Sequence, residues 1–161
     1  MAKQKTGERA ETTSKMKSAW WEDGVRFACQ GSGKCCVSHG EFGYVYLTGE
    51  DRTNMARVLG LTRSAFTKKY CTKTDGVWHT KDREGSACIF LEGKRCSVYE
   101  ARPMQCRTWP FWPEVMNAKS WAKEVKAFCP GVGKGRLIKA EEIRTALAAQ
   151  EKWEDELKSG L

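Results

Sequence analysis

Eight cysteines, Cys29, Cys35, Cys36, Cys71, Cys88, Cys96, Cys106 and Cys129, stand in a chain of 161 residues. Thiolates are the soft ligands of zinc, iron and iron–sulfur clusters, while paired thiols form disulfides in oxidising compartments. The opening, MAKQKTGERAETTSKMKS, is charged and lacks an apolar core. Export is therefore not expected, and a reducing cytoplasmic setting is. In that setting metal ligation is the expected reason for so many thiols, with disulfides as the alternative.

The thiols fall in three groups. Cys29, Cys35 and Cys36 sit in FACQGSGKCC, where Gly31 and Gly33 let the backbone turn tightly, as a loop wrapped round an ion must. Cys88, Cys96 and Cys106 follow at spacings that place the first two on either side of a proposed hairpin turn. Cys129 opens a Cys-Pro-Gly turn. The CxxC knuckles of most zinc fingers are absent, and the vicinal pair Cys35-Cys36 diverges too much to serve one tetrahedral ion easily. Four thiolates round a divalent ion carry a net negative charge. Lys34, Lys94, Arg95, Arg102 and Arg107 are near enough in sequence to offset it, Arg102 and Arg107 foremost. His39 and His79 are the two histidines, each a candidate ligand or an ordinary hydrogen-bonded residue.

The elements that must position these groups are short. Residues 1–18 read as a disordered basic tail, because their composition cannot offset the entropy of ordering. Tyr44–Leu47 favours a strand. Thr48 with Asp51 has capping-box spacing for a helix carrying Met55, Val58 and Leu59 and ending at Gly60. Thr62 starts a second helix that buries Phe66. Val77–His79 and Cys88–Leu91 read as strands, the latter turning at Glu92-Gly93-Lys94 into Arg95–Tyr99. A helix is expected from Pro113 to about Phe128, with Val115, Trp121 and Val125 in the core. Another is expected over Ala140–Lys158, with Ile143, Leu147 and Leu157 in its stripe. The fold class is α+β: a small, helix-rich single domain with a minor hairpin or sheet and irregular Cys-rich loops round a metal site. Its parts are a metal-binding region over 19–138 and a C-terminal helix over 139–161, packed on it or extending from it.

The order FACQGSGKCC, GYVYLT, CIFLEGKRCSVYEARPMQCRTWPFWP and FCPG resembles the YkgJ-like cysteine-cluster proteins, the CxxCxxCC zinc- or iron-chelating domain, over about residues 25–135. The resemblance implies ligands at Cys29, Cys35, Cys36, Cys88, Cys96, Cys106 and Cys129. The family's second cysteine is replaced by Ser32, and Cys71 either substitutes for it or is a buried bystander. The implied cofactor is zinc or iron, as a single ion or an iron–sulfur cluster. No single activity is implied, although related modules sit beside enzymatic regions, for example in flagellin lysine methylation.

Neither Ser32-Gly33-Lys34 nor Val132-Gly133-Lys134 completes a phosphate-binding Walker loop. No run is long and apolar enough to span a membrane. The expected function is a non-enzymatic, cytoplasmic metal-binding protein in which the metal is at least structural, with a protein partner also open. One alternative is an iron–sulfur-dependent redox or methyl-transfer-related enzyme or accessory. The net charge of +8 keeps a basic nucleic-acid-binding module as a second, weaker alternative. Trp109–Pro113 is read as an apolar wall that keeps water from the metal.

Overall fold

The computed structural model describes residues 18–37, 44–83 and 87–160. Residues 1–17 of the expected tail, and His39, lie outside them. The described residues form an α+β domain of short helices, one long C-terminal helix and three two-stranded antiparallel sheets.

Local chemistry places the first helices. Thr48 Oγ1 accepts the Asp51 amide at 3.2 Å while the Asp51 carboxylate accepts the Thr48 amide at 3.0 Å, which starts α1 (Gly49–Val58). Gly60, at φ +66°, turns the chain away beyond its end. Thr62 caps α2 (Arg63–Tyr70) through the Ala65 amide, and Phe66 is fully buried. Strands β2 (Cys71–Thr74) and β3 (Val77–Thr80) then pair across Asp75-Gly76, both at positive φ, the backbone that a two-residue hairpin turn demands. Tyr44–Leu47 runs along β3, with the Leu47 amide on Trp78 O and the Thr80 amide on Val45 O, both at 2.9 Å.

Two expected elements are shorter than predicted. The strand read at Cys88–Leu91 contracts to β4 (Leu91–Glu92), because the Leu91 amide folds back onto Cys88 O at 3.0 Å; β4 pairs with β5 (Arg95–Cys96) as the hairpin required. The helix read over 113–128 is broken. After α3 (Met104–Thr108), a single 3₁₀ turn spans Pro113–Val115. Asn117 then restarts the chain by accepting the Ser120 amide, giving α4 (Ala118–Ser120), which widens into a π turn over Trp121–Lys126. Val115, Trp121 and Val125 are nonetheless buried as expected. Strand β6 (Val132–Ile138) pairs with β1 (Val25–Phe27), and α5 (Ala140–Ser159) closes the fold.

The apolar residues collect in two cores. One joins Val25, Phe111, Val115, Met116, Trp121, Val125 and Ile143. The other joins Leu47, Met55, Ala56, Phe66, Cys71, Phe90 and Val98. Asp51 and the pair Thr108–Gln150 bind the halves together. Asp51 is 4 % exposed and accepts hydrogen bonds from the Met104 amide at the start of α3 and from the Trp153 indole on α5. Thr108 Oγ1 donates to Gln150 Oε1 at 2.6 Å, so α3 is docked on α5.

Candidate metal centre

The loop after β1 carries the first thiols. Gly31 and Gly33 have φ of +60° and +71°, and a side chain on Gly33 would meet the Lys94 backbone at 3.3 Å. Glycine thus lets the loop lie against the β4–β5 turn. The following 3₁₀ turn, Lys34–Cys36, presents the vicinal pair. Cys36 O accepts the Cys88 amide at 2.7 Å, and Val37 bridges to Ala87, so the pair is stitched to the segment entering the hairpin. Cys96 faces Leu91 across that hairpin. Cys106 sits in α3, whose start is fixed by Asp51.

The electrostatics show which thiols sense one another. Cys36 donates to Cys35, which with smaller help from its own backbone hydrogen bonding and from Arg102 holds the Cys35 thiol at about 7 against the opposing effect of burial. Cys36 is pushed well up by that same bond, by burial, and by the charges of Cys35, Cys88 and Cys106. Burial first, and then neighbouring thiols, raise Cys88, Cys96 and Cys106, with Cys88 and Cys96 each also facing a nearby acid, Asp82 and Glu92. Cys35, Cys36, Cys88, Cys96 and Cys106, from the loop, the hairpin and α3, are thus near enough to act on one another's charge. Arg102 acts on Cys35, Cys96 and Cys106. Its guanidinium lies 3.6 Å from the centre of the Tyr99 ring, and its Nε donates to Tyr99 O. Arg107 is exposed and is not among the charges acting on these thiols.

Cys29 and Cys129 are not among the charges named as acting on those five thiols. Cys29 is exposed and its sulfur accepts the Gly31 amide at 3.5 Å. Cys129 packs against the first core. Their segments are adjacent: the Ala28 amide donates to Gly131 O at 3.1 Å, and a side chain on Gly131 would come within 2.5 Å of Ala28 O. The glycine of the Cys-Pro-Gly turn is thus required by this close approach.

Cys71 is buried in the second core, and the charges it senses are Arg52 and Lys81 rather than other thiols. Burial pushes it to about 11. His79 is buried with both ring nitrogens engaged: Nδ1 donates to Thr80 O at 2.8 Å, and Nε2 accepts from Thr74 Oγ1 at 2.9 Å. Its imidazole serves the β2–β3 sheet.

Among the described residues, no three His, Cys, Asp or Glu side chains are drawn into ligand geometry. The donor set nevertheless suits zinc or iron: sulfur only, with a guanidinium to offset charge. Four of the five thiols are pushed up, Cys36 first by its hydrogen bond to Cys35 and the other three first by burial, with like-charge repulsion added; a bound cation reverses that penalty. The Thr80 hydroxyl is fully buried with no partner at hydrogen-bonding geometry, yet it lowers the Cys88 pKa. A Cys88 thiolate is the acceptor it lacks. No sequence signal marked Thr80, whereas Asp51 was visible as a capping residue and its reach to α3 and α5 was not.

Residues 28–130 match the CxxCxxCC family, described as a "putative zinc- or iron-chelating domain". An uncharacterised protein of Methanocaldococcus jannaschii is 28 % identical over 107 residues, which cover 65 % of this chain and 56 % of that protein. The chain thus spans little more than half the length of that relative. No solved structure matches it.

Proposed function

Since the chain belongs to the CxxCxxCC family, whose described property is chelation of zinc or iron, we propose that it is a cytoplasmic metal-binding protein centred on Cys35, Cys36, Cys88, Cys96 and Cys106. The convergence of these five thiols from three separate segments carries the reading. Cys29 and Cys129, which flank the Ala28–Gly131 backbone contact, are further candidate ligands outside that set. Zinc or iron bound here supplies a positive centre that stabilises thiolates. The chain's own residues do the rest. Arg102 offsets excess negative charge, the unpartnered Thr80 hydroxyl is the donor a Cys88 thiolate would take, and the Cys36–Cys88 backbone bond keeps loop and hairpin in register. The metal-binding region is assigned to residues 19–138, with α5 docked on it through Ile143 and Gln150. A clasp across loop, hairpin and α3 contributes folding free energy to two small cores.

The test is elemental analysis with an optical spectrum of anaerobically purified protein, repeated for Cys106→Ser and Cys29→Ser. Stoichiometric zinc or iron that falls in Cys106→Ser supports the cluster. A Cys106→Ser protein with unchanged metal content and melting removes Cys106 from it. Absorbance near about 400 nm identifies an iron–sulfur form, and a colourless zinc protein identifies the mononuclear one.

A further inference from the structure

A cleft of about 730 Å³ opens between α2 and the β2–β3 hairpin, with Cys71 as the one thiol in its lining. Arg52, Arg63, Lys68 and Lys73 line it together with Trp78, and no Asp or Glu does. None of the four cations forms an ion pair among the described residues, where the ion pairs lie elsewhere. Arg52 is set in place: its Nη1 donates to Thr67 Oγ1 at 3.3 Å, and its guanidinium lies 5.0 Å from the centre of the Trp78 ring. Lys73 Nζ lies 5.6 Å from the same ring. Burial is the largest influence and disfavours the Arg52 charge; Cys71 opposes it, and Arg63 adds a smaller like-charge repulsion. Gathering cations in a concave, carboxylate-free site costs free energy that an anion returns.

We propose that this cleft binds the diphosphate group of a small anion, with Arg63 and Lys68 at its mouth and Arg52 held behind them. Arginine's planar fork and lysine's point charge are the usual partners of phosphate oxygens. Ser64 adds a hydroxyl on the same helix face, while the Thr67 hydroxyl donates to Arg63 O at 2.8 Å and holds Arg52. The volume falls within the range of small-molecule sites, and the cations converge on one cleft rather than tracking along a surface groove, which favours a compact ligand over a nucleic-acid strand. The inference stands independently of the metal reading.

The full-length, metal-loaded protein is titrated with inorganic pyrophosphate and with adenosine diphosphate by calorimetry, and its metal content is measured afterwards. Saturable binding is expected to weaken about tenfold for each cation removed in Arg63→Gln and Arg63→Gln/Lys68→Gln, both positions being exposed. The melting temperature and metal content of these variants are expected to stay unchanged. Tighter adenosine diphosphate than pyrophosphate identifies a nucleotide as the source of the diphosphate, and equal affinity identifies the inorganic anion. The assignment is overturned by no saturable binding of either probe, by equal affinity in the variants, or by heat that follows metal loss. It is also overturned if a short oligothymidylate displaces pyrophosphate with the higher affinity.

Discussion

Replacing Asp51 by Asn tests whether one carboxylate joins the elements that carry the candidate centre. Asp51 Oδ2 accepts from Trp153 Nε1 at 2.7 Å, Thr48 Oγ1 at 2.8 Å and the Thr48 amide at 3.0 Å; Oδ1 accepts the Met104 amide at 3.1 Å. Asparagine keeps one oxygen. Turned to preserve the three bonds on one side, it sets its NH2 against the Met104 N–H, and Pro103 before it has no side chain to cap α3 instead. One charge-assisted bond is lost at about 1.5–3 kcal/mol, and three become neutral and weaker. The expected sum is about 4 kcal/mol, a fall in Tm on the order of 8–16 °C for a chain of this size. The assay is thermal melting by circular dichroism at fixed protein and metal concentration, since metal shifts the midpoint by mass action. Cys106 lies two residues beyond Met104, so a chelator competition should also show weaker metal retention. A variant melting within about 2 °C of the parent, a loss of under about 1 kcal/mol, would falsify this account of Asp51.

Gly131→Ala should destabilise by about 2–3 kcal/mol, because its methyl must enter the 2.5 Å approach to Ala28 O, and urea titration reads the shift. Cys71→Ala should leave metal content unchanged, and in the parent protein Cys71 should alkylate far more slowly at pH 8 than exposed Cys29. With its thiol raised to about 11, Cys71 contributes stability below the ordinary thiol range of about 8.5 that is lost as pH rises toward 11; alkaline melts of parent and Cys71→Ala check this. Glu142, hydrogen-bonded by Arg136 and by the Lys139 amide, is held at about 2. Its contribution is present above the ordinary carboxylate range of about 4.3 and is lost as pH falls toward 2. An NMR titration should show this midpoint return toward 4 in Arg136→Gln.

What was legible in the sequence was local. The capping box of Thr48 and Asp51, the cap at Thr62, the hairpin at Gly93 and the stripe of α5 each depend on neighbours a few residues away, and each is present. The β1–β6 pairing was not read. Its strands are more than a hundred residues apart, and Gly133 and Gly135 give β6 no apolar alternation. Strand β2 was missed because only Cys71 of its four residues is buried. The helix over 113–128 had the right buried positions but not the right path, since Asn117 offers its side chain to a new start. In the candidate centre, spacing grouped Cys88 with Cys96. Cys106 joins them only because Asp51 and Gln150 hold α3, a tertiary fact without a local signature. The CxxCxxCC family shows in the order of its residues, as the match over 28–130 confirms.

The twin interiors have a consequence for how the molecule would come apart. Cys88 and Cys96 pack against the interior built on Phe66 and Phe90, while the one built on Val125 and Ile143 holds only Cys129 at its border. Stripping the ion should therefore unfasten the chain unevenly. The half bearing the hairpin would breathe and exchange its amides, while the β1–β6 ribbon and the long closing helix would stay shut, each half ageing on its own clock.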